Sequence, residues 1–122
     1  FKYAAAGVLA PDGKIYFAPC NATHVLAVDP LRSTAELMGP ELPGEIKYVA
    51  PGVLSPDGKI YFAPSRATHV LAVDPLRSTA ELIGPELPGD VNLKYVAPGV
   101  LGPNGKIYFA PSRATSVLVV DP

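Results

Sequence analysis

"GVLAPDGKIYFAP" fills Gly7–Pro19, returns as "GVLSPDGKIYFAP" over Gly52–Pro64, and returns again as "GVLGPNGKIYFAP" over Gly99–Pro111. Each copy sets an apolar run, a Pro-Asp-Gly or Pro-Asn-Gly turn, and a β-branched and aromatic run in that order. That order is the signature of a tight hairpin, because Asp or Asn tolerates unusual backbone angles and the following Gly supplies positive φ. Lys2-Tyr3, Lys47-Tyr48 and Lys94-Tyr95 mark the same point in each copy, so the periods are 45 and 47 residues, the second lengthened by Val91 and Asn92. Periods of this size belong to propeller or solenoid units.

Within one unit, turn signals fall at Pro11-Asp12-Gly13, Pro19-Cys20-Asn21, Asp29-Pro30-Leu31-Arg32-Ser33-Thr34 and Pro43-Gly44. Four short strands fit between them: A over Ala5 to Ala10, B over Lys14 to Ala18, C over Thr23 to Asp29 and D over Thr34 to Gly39. The Pro and Gly spacing and the β-branched and aromatic content disfavour helix. Asp29, Asp74 and Asp121 each precede Pro, and at Asp29 and Asp74 the carboxylate is placed to accept hydrogen bonds from the turn backbone; all three read as turn residues rather than catalytic ones.

Strand C decides how the layers stack. His24-Val25-Leu26-Ala27-Val28 does not alternate apolar with polar, so both faces of its sheet must be covered. Hairpin-linked strands make an antiparallel sheet, and a doubly covered antiparallel sheet recurring every 45 residues is a propeller blade between neighbours. The residues Ser55-Pro56-Asp57-Gly58-Lys59-Ile60-Tyr61 and Val70-Leu71-Ala72-Val73-Asp74 resemble the blades of YVTN-type and NHL-type β-propellers, and the resemblance runs the whole length of the chain. It implies an all-β fold of four-stranded blades and little about function.

On this scheme blade 1 covers 2–44, blade 2 covers 47–89, and a three-stranded blade 3 covers 94–122 without a strand D. Propellers close with four to eight blades, and open arrays need polar caps. The first and third repeats carry the same apolar strands as the second. Association is therefore expected, with six blades from two copies of the chain as the simplest closed ring. Residues 31–44 and 76–89 differ only at Met38 against Ile83, which points to recent duplication or copying.

The 122 residues carry a formal net charge of −1, with Lys and Arg scattered, which argues against nucleic acid as a partner. Apolar residues make up 48%, yet Pro, Gly, Asp or Lys breaks every run well short of the roughly 20 that a membrane helix needs. No membrane association is expected. The sequence starts at Phe1 without Met or a long apolar stretch, as a processed form or excised piece would. Cys20, a single cysteine, reads as a small buried hydrophobe, and Asn21-Ala22-Thr23 fits a glycosylation sequon that the other repeats lack.

In a propeller the D-to-A and B-to-C connections share one end of the ring, and it is there that the repeats differ. Cys20-Asn21 becomes Ser65-Arg66 and Ser112-Arg113, His24 and His69 become Ser116, and Gly44-Glu45-Ile46 becomes Gly89-Asp90-Val91-Asn92-Leu93. The candidate binding residues are Lys47, Tyr48, Arg66, Lys94, Tyr95 and Arg113, ringing a channel mouth. The competing reading makes Tyr3, Tyr48 and Tyr95 packing residues and the arginines solvated loop charges. His24 and His69 have no third ligand for a metal. Glu36, Glu41, Glu81 and Glu86 lie on or beyond the outermost strand, and the innermost strand brings no carboxylate, His or nucleophile. The expectation is a non-catalytic scaffold or recognition module that associates with itself, needs no cofactor, and takes a protein or glycan ligand. A lectin-like propeller and a fragment of a larger propeller enzyme are the alternatives.

Overall fold

A computed structural model describes residues 1–88, 91 and 93–122. Among these residues there is no helix, and the strands run β1 (Val8–Leu9), β2 (Ile15–Phe17), β3 (Val25–Asp29), β4 (Thr34–Met38), β5 (Val53–Leu54), β6 (Ile60–Phe62), β7 (Val70–Asp74), β8 (Thr79–Ile83), β9 (Val100–Leu101), β10 (Ile107–Phe109) and β11 (Leu118–Val120). They form three antiparallel sheets in sequence order, β1 to β4, β5 to β8, and β9 to β11. The expected four, four and three strands are all present, and the third sheet has no outer strand.

The strands are shorter than the apolar runs that predict them, for reasons visible in the backbone. Pro19 and Pro64 cannot donate to a ladder, so strand B stops at Phe17 and Phe62. The carbonyls of Thr23 and His24 are taken by the Leu42 amide and the Tyr3 hydroxyl, so β3 begins only at Val25. Gly39, at φ 76°, ends β4. The A-to-B loops close as three-residue hairpins: Ala10 donates to the Lys14 carbonyl, Gly13 donates back to Ala10, and Gly13 sits at φ 84°. The corresponding residues of the other two sheets repeat these bonds.

Register sorts side chains onto two faces. Tyr16 lies opposite Ala27 and Val25 opposite Met38, while Ile15 faces Val28 and Phe17 faces Leu26. The first set packs on Ile60, Phe62, Leu71, Val73 and Ala80 of the second sheet. The other side of that sheet presents Tyr61, Val70 and Ala72 to Ile107, Phe109 and Val120 of the third. The hydrophobic core is therefore two slabs between sheets, and the middle sheet contributes to both.

One close approach recurs in every sheet. A Cβ on Gly52 would lie 2.5 Å from Cε1 of Phe62, and the same conflict arises between Gly7 and Phe17 at 2.6 Å and between Gly99 and Phe109 at 2.5 Å. Glycine opens the "GVL" run because the Phe ring of the next strand occupies the space of a side chain. Phe62 is fully enclosed, whereas Phe17 is half-exposed on the outer side of the first sheet and can swing aside. Gly52→Ala should therefore lower stability by about 1–3 kcal/mol in urea denaturation, the usual cost of overpacking, and Gly7→Ala by clearly less. Equal losses at the two positions would contradict this account.

Candidate functional site

The D-to-A connections and B-to-C loops lie side by side at one end of the sheets. The backbone builds this end by a repeated latch. Cys20 and Ala22 donate to the Lys2 carbonyl, Ser65 and Ala67 to that of Lys47, and Ser112 and Ala114 to that of Lys94. Neighbouring sheets are tied by further bonds, from Lys47 N to the Cys20 carbonyl at 3.1 Å, from Ile46 N to Oδ1 of Asn21 at 2.8 Å, and from Leu93 N to Oγ of Ser65 at 2.7 Å. Ile46 and Leu93 hold left-handed backbone angles, φ 50° and 61°, a conformation these side chains adopt only when their surroundings impose it.

Tyr48 and Tyr95 are buried, and their hydroxyls donate to the main-chain carbonyls of His69 at 2.9 Å and Ser116 at 2.8 Å. Tyr3 does the same to His24 at 2.9 Å. The acceptor is backbone, which is why His24, His69 and Ser116 can exchange without disturbing the bond. These tyrosines are struts of the loop end and do not project into solvent. Burial pushes the Tyr3, Tyr48 and Tyr95 hydroxyls above the ordinary tyrosine value. Tyr16 and Tyr61, pushed up first by burial, also donate to the carboxylates of Asp12 at 2.7 Å and Asp57 at 2.9 Å, which raises them further.

Lys47 and Lys94 are buried as well. Lys47 Nζ donates to the Gly44 carbonyl at 2.7 Å, and Lys94 Nζ reaches the carbonyls of Arg66 at 3.3 Å and Val91 at 3.4 Å. Arg66 and Arg113 are exposed at this end, where their own amides donate to the Ile46 and Leu93 carbonyls. The six candidates are thus brought to one end of the sheets, two as exposed arginines and four as enclosed side chains. Of the connection expected to vary most, Gly89, Asp90 and Asn92 lie outside the described residues. Between the first two sheets this end opens into a cleft of about 500 Å³ lined by Leu42, Pro43, Lys47, Tyr48, Arg66 and His69, among others. The next junction has a smaller cleft of about 190 Å³ around Lys94, Tyr95 and Ser116.

The histidines are half-buried, and Nδ1 of each meets the hydroxyl of the preceding Thr at 2.8 Å. Among the described residues no three His, Cys, Asp or Glu side chains converge as metal ligands. Cys20 is buried. At the opposite end, Asp29 Oδ1 accepts from the Leu31 and Arg32 amides and Asp74 Oδ1 from those of Leu76 and Arg77, as turn residues do. Burial works upward on the Asp29 carboxyl, but the Arg32 and Leu31 bonds together outweigh it and hold its pKa below the ordinary value.

Solved structures with the same architecture are virginiamycin B lyase from Staphylococcus aureus, in a catalytically inactive form with quinupristin and in a selenomethionine form, and hydrazine synthase from Kuenenia stuttgartiensis. The TM-scores are 0.66, 0.67 and 0.64, each over 94% of this chain, at 13%, 13% and 18% identity. The chain has the β-propeller fold. It spans 40% of the lyase chain and 33% of the hydrazine synthase chain. No protein-family model and no curated sequence matches it.

The raised tyrosines give the propeller blades an alkaline weakness. Above the unfolded tyrosine pKa of about 10, an unfolded chain releases protons that the folded chain retains, so stability is complete below that pH and falls as pH rises through it. Urea midpoints should drop between about pH 9 and pH 11, with tyrosinate absorbance from the buried rings appearing only as the chain unfolds. Ionisation of every tyrosine ahead of unfolding would refute the burial argument.

Proposed function

We propose that the chain is a non-catalytic recognition module of the YVTN or NHL kind, which completes its propeller with a second copy of itself. The observation that carries the reading is the match between its two bare ends. The third sheet leaves Tyr108, Val117 and Val119 at 37%, 58% and 47% exposure, while their counterparts Tyr61, Val70 and Ala72 are buried at 3%, 6% and 3% against the next sheet. The first sheet leaves Ile15, Phe17, Leu26 and Val28 half-exposed, while Ile60, Phe62, Leu71 and Val73 are fully buried. These two faces are the two halves of the junction that forms twice within the chain. Placed head to tail, two copies repeat that junction twice more and close a ring of six sheets, which removes the exposed apolar faces without opening a new kind of contact.

The non-catalytic part of the reading rests on the innermost strands. They consist of Val8-Leu9, Val53-Leu54 and Val100-Leu101, with no acid, base or nucleophile among them. The variable loop end, with Arg66 and Arg113 exposed, is where a partner would be held. A second reading, favoured by the fraction of the neighbouring enzymes that the chain spans, supplies the remaining blades from a longer chain of the same protein.

Light scattering separates the two. A closed ring of two copies should give twice the 12.7 kDa chain mass. Val119→Lys, on the bare face of β11, should weaken association at least about ten-fold because the junction would enclose an unpaired charge. Leu31→Lys, in the exposed turn after β3, should leave the mass unaltered. A single-chain mass at every concentration would overturn the shared ring.

A further inference from the structure

The cleft between the first two sheets holds a charge without a counter-charge. Lys47 is only 3% exposed, its Nζ has a single acceptor, the neutral Gly44 carbonyl, and no carboxylate lies within 4.0 Å of it among the described residues. Buried ammonium groups are ordinarily paired, because taking an ion from water costs several kcal/mol that only an opposite charge or a full set of hydrogen bonds offsets. Burial accordingly pushes the Lys47 pKa down, with Cys20 and Glu45 acting weakly the other way. Glu45, on the rim, is exposed and makes no ion pair with it. Arg66 adds a second cation at the mouth, and the His69 ring, bonded to the Thr68 hydroxyl, makes no other side-chain hydrogen bond among the described residues. Beside Tyr48 and Thr68, the remaining wall is aliphatic: Leu42, Pro43, Ala67 and Leu82.

We propose that this cleft binds a carboxylate carried on a short aliphatic body, the carboxylate meeting Lys47 and Arg66 and the aliphatic part lying on Leu42, Pro43 and Leu82. A volume of about 500 Å³ falls in the range of small-molecule sites, roughly 300–1,000 Å³. The equivalent cleft at the next junction is only about 190 Å³, and its Lys94 already reaches two carbonyls. The site is thus particular to one junction, whose D-to-A connection also differs in sequence from the next. The carboxylate can belong to a free aliphatic acid or to the C-terminal leucine of a peptide, since both present the same group. This assignment deepens the recognition reading above and rests on it only for the choice of loop end, because both walls of the cleft lie within one chain.

The test uses the whole 15N-labelled chain titrated with octanoate, octanol, and acetyl-Gly-Gly-Leu with its carboxyl free or amidated. Octanoate or the free-carboxyl peptide should shift the amide signals of Gly44, Lys47 and Arg66 and leave those of Lys94 and Arg113 in place, with octanol and the amide at least about ten-fold weaker. Tighter binding of octanoate assigns the site to small acids, and tighter binding of the peptide assigns it to chain termini. Lys47→Met should abolish the preference for the carboxylate. If that variant does not fold, Arg66→Gln, at the exposed mouth, should reduce the preference several-fold. Octanol binding as well as octanoate, shifts confined to Val100 and Val119 on the bare face, no shift with any probe, or an unaltered preference in the folded variants would each overturn the proposal. Mass measured on the same samples keeps the two proposals apart: a single-chain mass with the carboxylate preference intact removes the ring and leaves the site, and a two-chain mass without the preference does the reverse.

Discussion

Every sheet of this protein is apolar on both faces, and the rest of the structure follows from that constraint. A sheet with one wet face can stop after one partner, but the middle sheet here has a neighbour on each side. The core consequently sits between blades as two slabs, Tyr16, Val25 and Ala27 against Phe62 and Leu71 in one, Tyr61, Val70 and Ala72 against Phe109 and Ile107 in the other. Among the described residues, the middle blade alone has buried hydrophobic clusters on both sides. Its Ile60, Phe62, Leu71 and Val73 are fully buried, where the same residue types in the first blade are half-exposed.

The loop end is held by a repeated backbone latch, to which Asn21 and Ser65 each add one side-chain tie, and its side chains differ between repeats. Tyrosine hydroxyls bond to main-chain carbonyls, and the Lys2, Lys47 and Lys94 carbonyls receive the amides of the B-to-C loops whatever residue follows. A loop fixed in this way tolerates Asn21 in one repeat and Arg66 or Arg113 in the others. The result is a set of similar positions carrying different chemistry, in contrast to the hairpin end. There the side chains are themselves the fasteners: Asp12 and Asp57 each bind a turn amide and a tyrosine hydroxyl. Asn104 keeps the arrangement in the third blade by donating to Tyr108, which reverses the direction of the bond.

Side-chain burial at the loop end separates two kinds of candidate residue that look alike in sequence. Lys47-Tyr48 and Lys94-Tyr95 are polar and lie beside Gly-rich connections, so they read as surface residues. They are drawn inward because each tyrosine packs under its own blade and finds an acceptor 21 positions further along the chain. The recurrence of that spacing at Tyr3, Tyr48 and Tyr95 is a signal present in the repeat itself, and it identifies the hydroxyl as structural. Arg66 and Arg113, by contrast, do stand exposed.

The sequence alone determined the blade: its period, its Pro-Asp-Gly hairpins, the Asp29 and Asp74 turns and the four-strand order. It could do so because these features depend on residues near one another in the chain, where backbone preferences and the doubly apolar strands leave few alternatives. Strand lengths, the seat of each Phe ring over a glycine, and the enclosure of Lys47 were decided only in three dimensions. The first two are set within a blade, by the Pro and Gly positions and by the strand next door, and the third arises at the end where one blade meets the next. The two junctions, which differ by the two-residue lengthening before Lys94, hold one roomy cleft around Lys47 and one narrow cleft around Lys94.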